Sequence, residues 1–189
     1  MPVATKAADL YDEDFYAWTQ QQAEALRTHF KGDNRLDVEH LAEEVEDLGK
    51  SELQAVESYV QQIMTHLLKL DYSGFELPRR HWCSEIVAFR ASIDRKMSPS
   101  VKQTVRRTLS ELYEGARNMA AASLDAEPDL GRRLPRECPY DWDAIVARDV
   151  LAEAGVDFAA PGRTDKRRRR RSMSARGKRT LDSRSEKSK

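Results

Sequence analysis

Cysteine is nearly absent from this sequence. Cys83 and Cys138 are the only two, 55 positions apart and outside any CxxC, too few for a disulfide framework or a thiolate zinc site. Long apolar runs are missing as well. Mean hydropathy is −0.74, and no stretch approaches the ~20 apolar residues that span a bilayer. The first residues, Met1 to Lys6, run into a charged, aromatic segment without the apolar core of a secretory signal. No segment alternates with the period of two that a half-buried strand needs. These absences exclude a sheet and a membrane partner, and they point to a reducing, cytoplasmic compartment.

Net charge is also absent, yet the zero total hides a division. Residues 163–189 hold 13 Lys/Arg against 3 Asp/Glu, a net of +10, whereas residues 1–162 hold 19 against 29, a net of −10. From Pro161 onward apolar residues almost vanish, too few to offset the entropy of ordering. The expected organisation is therefore a domain over 1–160 and a disordered Arg/Lys/Ser-rich tail over 161–189.

What the sequence does have is helical periodicity. A first helix is expected from about Asp12 or Glu13 to Phe30, since acidic residues favour a helix start. Over residues 37–72, Leu41, Val45, Leu48, Ala55, Val56, Tyr59, Ile63, Leu67 and Leu70 recur in steps of three and four, which defines one face of one long helix. Gly49 keeps that phase and marks a bend. A third helix over 81–97 aligns Trp82, Ile86, Phe89, Ile93 and Met97. A fourth over 99–124 opens with Ser98 as N-cap and Pro99 at its first position. Pro128, Gly131, Pro135 and Pro139 impose a loop before a short capping helix over 141–153. The fold class is all-α: a mostly antiparallel four-helix bundle with a C-terminal capping helix.

Several short motifs in one order carry a resemblance. The segment Leu10-Tyr11-Asp12-Glu13-Asp14-Phe15-Tyr16-Ala17-Trp18, the acidic run from Leu41 to Glu52, His66-Leu67-Leu68-Lys69-Leu70, Ser98-Pro99-Ser100-Val101-Lys102 and Cys138-Pro139-Tyr140 together resemble domain-of-unknown-function family 29, spanning roughly residues 8–150. Leu70 departs from the aromatic usual at that place. The resemblance implies an all-helical bundle and no activity, and the tail lies outside it.

Candidate chemistry is sparse. Gly49-Lys50-Ser51 ends like a phosphate-binding loop, but the glycine required five residues earlier is Glu44, and the segment is helical rather than a loop after a strand. Asp37, His40 and Glu44 share a helix face, with His66 further along. Two-metal bundles repeat a Glu-x-x-His spacing on two helices; here Asp-x-x-His occurs once, so no metal site and no cofactor is expected. Glu44, Glu52 and His66 lie on or beside the apolar stripe, where a buried charge needs a partner. Arg90 is the expected partner of Glu44, with Arg79 or Arg80 nearby, in structural ion pairs. Trp18, Trp82 and Trp142 read as packing anchors, and Cys83 as an inert buried thiol.

The basic run Lys166, Arg167, Arg168, Arg169, Arg170 and Arg171 neutralises phosphates without reading sequence. It has no aromatic residue for base stacking and no amphipathic flank for a membrane. The expected function is a non-enzymatic module that binds a protein partner and contacts nucleic acid nonspecifically through this tail. A metal-dependent enzyme using Asp37, His40, Glu44 or His66 is the alternative. A homodimer through the helix at 99–124, where Ala120, Ala121 and Ala122 widen the apolar face, is a further expectation.

Overall fold

A computed structural model describes residues 7–30, 35–123, 129–153 and 155. The chain divides into Met1–Gly155 and Val156–Lys189, and every described residue belongs to the first unit. The tail, with Lys166 to Arg171, lies outside the described residues.

The helices are α1 (Ala7–Glu13), α2 (Phe15–His29), α3 (Val38–Tyr72), α4 (Arg79–Asp94), α5 (Pro99–Ala122), α6 (Leu130–Arg133), α7 (Trp142–Ala147) and α8 (Val150–Glu153), with no strand among the described residues. The long helix is one piece, as its phase predicts, and the Asp37 carboxylate caps it by accepting from the His40 amide. Ser98 and Pro99 start α5 as expected. Two expectations need correction. The first expected helix is α2, but an unforeseen α1 precedes it and meets it at Asp14, and the capping helix breaks into α7 and α8 at Arg148. The loop between α5 and α7 also holds the short α6.

Neighbours in sequence run antiparallel, so α2 to α5 alternate in direction. Along α3 and α4, Glu52 meets Lys96, Tyr59 stacks with Phe89, and His66 meets Glu85. Along α3 and α5, Glu57 accepts from Thr108 and Thr65 donates to the Ala116 carbonyl. The helices are not equal in length: α3 has 35 residues, against 15 in α2, 16 in α4 and 24 in α5. Consequently α2 covers the N-terminal third of α3, whereas α4 and α5 cover the rest. The bundle is a two-helix hairpin set end to end with a three-helix set, sharing one rod.

Small residues make the hairpin close. Thr19 and Ala23 of α2 and Ala42 and Gly49 of α3 are all buried. A Cβ on Gly49 would collide with the Thr19 hydroxyl. Close approach to α2 therefore accounts for this glycine. Arg27 then clips the hairpin by reaching Glu39 and Glu46. In the three-helix part the core is large and apolar: Val56, Val60, Ile63, Met64, Leu67, Leu68, Ile86, Ile93, Val105 and Tyr113. Each such side chain contributes roughly 1.5–3 kcal/mol on burial.

One carboxylate joins the two parts. Asp14, 7% exposed, caps α2 by accepting from the Ala17 amide at 3.1 Å. It also accepts from the Ser98 hydroxyl at 2.8 Å, the Ser100 amide at 2.8 Å and the Ser100 hydroxyl at 2.6 Å. It thus sits at two helix N-termini at once, where partial positive charge favours an anion. Burial works against the charged form, but the bonds from Ser100, Ala17 and Ser98 prevail and hold its pKa below the ordinary value.

The C-terminal segment has little helix of its own and is pinned by arginines and tyrosines. Arg90 donates to the carbonyls of Ala144, Ile145 and Arg148. Tyr113 and Arg117 both donate to the Pro135 carbonyl. Arg148 forks between Asp71 and Glu153, and Tyr140 donates to Asp71 at 2.8 Å. This use of the Arg148 backbone and side chain, at φ −54° and ψ 129°, is why the capping helix cannot run through. Cys83 is buried and its thiol donates to the Val150 carbonyl.

Asp14→Ala should lower folding stability by about 2–3 kcal/mol, because it leaves hydroxyls and amides of two helix starts without an acceptor. A carboxylate with a depressed folded pKa stabilises above its unfolded value and stops doing so as pH falls through the folded one. Urea unfolding should therefore show the full gap between wild type and variant at pH 7, closing as pH drops well below ~4.

Candidate functional site

Three of the four expected ion-pair residues have partners different from those anticipated. Glu52 binds Lys96, Oε2 to Nζ, at 2.6 Å. His66 Nε2 lies 2.8 Å from Glu85 Oε2. The Glu44–Arg90 pair does not form, because the Arg90 guanidinium is taken by three carbonyls and Glu44 is exposed. The stagger of the helices explains this. Since Glu85 and Phe89 lie level with His66 and Tyr59, Arg90 is level with about residue 58, some 20 Å along α3 from Glu44 at 1.5 Å per residue.

His66 belongs to a buried polar cluster at the α3–α4 contact. Every residue from Ile63 to Leu70 is buried, Thr65, His66 and Lys69 included. Burial, with the Lys69 charge nearby, lowers the His66 pKa to about 4 against the opposing pull of Glu85. The ring is thus neutral at pH 7. Its Nε2–H donates to the Glu85 carboxylate, which fixes the tautomer, and its buried Nδ1 has no partner. The contact is a hydrogen bond from a neutral ring, where an ion pair was expected. Glu85 also approaches His81 at 3.5 Å. Lys69 places its ammonium 5.9 Å over the Trp82 ring, and burial lowers its pKa too. Lys69 and Glu85 escaped the sequence analysis, although a lysine inside an otherwise apolar run was a visible signal.

The metal-ligand candidates are dispersed. Asp37 and His40 bind each other, Oδ2 to Nδ1 at 2.6 Å, in the open, and the Asp37 carboxylate raises the His40 pKa. His66 is 22 residues beyond Glu44, about 33 Å along the helix. Among the described residues no three His, Cys, Asp or Glu side chains converge on a metal position.

A different feature stands out on α3. Leu41 and Leu48, expected on the core face, are 43% and 56% exposed. Ala42 and Gly49, one step round the helix, are buried in their stead. Val45, Glu52, Tyr59 and His66 recur every seven residues and so form one column. Lys96, Phe89 and Glu85 cover the last three, but α4 has ended at Asp94 before Val45 is reached. Among the described residues, four of the eight exposed large hydrophobic ones (Phe30, Leu36, Leu41 and Leu48) fall from position 30 to position 48. This face is apolar because it continues the α4 contact, and open because α4 is short. A cleft of about 280 Å³ marks the handover, with Glu52, Lys96 and Ser98 in its wall.

Trp82 and Trp142 are buried. Trp18 is half-buried and packs edge-on with Tyr11 and stacked with Phe15 at the α1–α2 joint. No helix of the described residues is long and apolar enough to cross a membrane.

A histidine whose folded pKa lies below its unfolded one stabilises only while neutral, so its contribution is complete above ~6.5 and lost as pH falls toward ~4. The unfolding free energy from urea titrations should decline over that window by about 3 kcal/mol. In His66→Gln the decline should be largely gone; an unchanged slope would show that His66 does not govern it.

An alpha-helical protein of unknown function from Rhodospirillum rubrum, solved by crystallography, is similar to this chain. The two are 28% identical, with 80% of this chain and 98% of that one covered and a TM-score of 0.63. No curated protein matches. Helices α2 to α7, the joint at Asp14 and the polar cluster at His66 and Lys69 all fall within residues 10–151, which match one family model. The chain belongs to DUF29, a domain of unknown function.

Proposed function

We propose that this chain is a non-enzymatic protein-interaction module whose docking surface is the open face of α3 around Leu41, Val45 and Leu48. The observation that carries this reading is the exposure of Leu41 and Leu48 beside Val45, at the head of the column that α4 covers further along. Leaving two leucines of one helix face in water forgoes a few kcal/mol of burial, and a clustered apolar surface of this kind marks contact with another molecule. The dispersal of Asp37, His40, Glu44 and His66 supports the module over the metal-dependent enzyme. The basic run from Lys166 to Arg171 adds sequence-independent affinity for nucleic acid.

Affinity capture of the tagged full-length chain from its native host tests this. Wild type should retain a stoichiometric protein that Leu48→Glu loses, while both forms show the same helical circular dichroism. Replacing the six basic residues by Gln should keep that protein and shed co-purifying nucleic acid, whose retention by wild type should drop steeply as salt rises. Capture indifferent to Leu48→Glu would remove the docking surface.

A further inference from the structure

We propose that the open face of α3 seats an amphipathic helix of about three turns whose apolar stripe is flanked by Lys or Arg, lying end to end with α4; this rests on the reading of the chain as an interaction module. The shape of the face selects a helix. Leu41, Val45 and Leu48 are spaced by four and three, the step of a helix-packing seam, and Val45 heads the column that α4 covers, so the holes between them fit side chains of a second helix at near-antiparallel packing. A partner there extends the α3–α4 contact past Asp94, where α4 stops. The α2 side is already closed by Thr19, Ala23, Ala42 and Gly49, which leaves one lane.

Charge selects the partner's flanks. Between Asp37 and Glu52 there are seven acidic residues and one lysine. Those facing α2, Glu39 and Glu46, are bound by Arg27. Asp37 and Glu44 lie seven apart, each four residues before a leucine of the lane, and so ride along its outer rim. Asp37 is shared with His40, and Glu44 is exposed with no ion-pair partner among the described residues. Basic side chains on the partner's outer flank meet these carboxylates as e and g residues do in paired helices. A second copy of this chain would bring the same acidic rim against itself, which like-charge repulsion opposes.

The test uses the full-length chain and three fluorescent synthetic peptides of about 18 residues. One carries leucines at steps of three and four with Lys/Arg flanks, one the same stripe with Glu flanks, and one the composition of the first in scrambled order. At low salt the first should bind and raise anisotropy, and the other two should bind far more weakly. Leu48→Glu should weaken the first by about tenfold or more, and Glu44→Lys by several-fold, an effect that added salt diminishes. Both positions are exposed, and circular dichroism checks that the variants stay folded. Equal binding of all three peptides, binding of none, binding untouched by Leu48→Glu, or a wild-type dimer in light scattering that Leu48→Glu dissolves would each overturn the proposal. If the peptides fail while native-host capture still depends on Leu48, the partner class is wrong and the module stands; if capture is indifferent too, both fall.

Discussion

The rest of the structure depends on a mismatch of length. A rod of 35 residues runs about 52 Å at 1.5 Å per residue, and none of the helices packed on it is long enough to cover it. Coverage is handed from α2 to α4 and α5 at the level of Gly49 and Glu52. Two short-range devices make that handover. Small side chains let α2 lie close on the rod's first third, and the Asp14 carboxylate binds the starts of α2 and α5 together. Because Asp14 satisfies donors of both helix ends, neither end needs solvent, and the joint can be buried.

A second economy concerns loops. The segment after α5 contributes few backbone hydrogen bonds of its own, so its carbonyls must be satisfied from outside. Arg90 and Arg117, whose guanidinium groups offer several donors in a fixed fork, serve five carbonyl contacts between them. Arg148 reverses the direction. Its side chain leaves the C-terminal segment to grip Asp71 at the end of α3, and the bonds to Asp71 and Glu153 raise its pKa. Of the arginines that the sequence offered as ion-pair partners, Arg90 and Arg79 donate to backbone carbonyls.

Much of the fold was legible in the sequence because it is written locally. The phase over α3, the Asp37 and Ser98 caps, Pro99 at the first helical position and the motif order of the family each depend on a few neighbouring residues. The joint at Asp14 was hidden, since an acidic residue inside Asp12-Glu13-Asp14 looks like any helix start until Ser100 is brought to it from 86 positions away. The partners of Glu44 and Arg90 were unreadable for a related reason. Periodicity gives the face a residue occupies but not the stagger of the helix opposite, and a shift of a few turns separates residues that share a face. The candidate site was legible only in part: Leu41 and Leu48 were on the right stripe, and their exposure follows from where α4 ends.

That same stripe shows why apolar pattern and burial should be kept apart. The α3 column keeps one face from Val45 to His66, and the length of α4 divides it into a covered and an open part. Near the covered end, polar insertions are matched within the chain, Glu52 by Lys96 and His66 by Glu85. Near the open end, Glu44 has no such match among the described residues. An interior column that had merely frayed would carry no reason to keep leucines at 41 and 48 beside unneutralised acid. A surface selected only for solubility would carry the acid and drop the leucines. On the proposed reading the two together form one side of a helix–helix contact, in which an apolar seam would supply attraction and a rim of one sign would favour a basic partner over an identical copy.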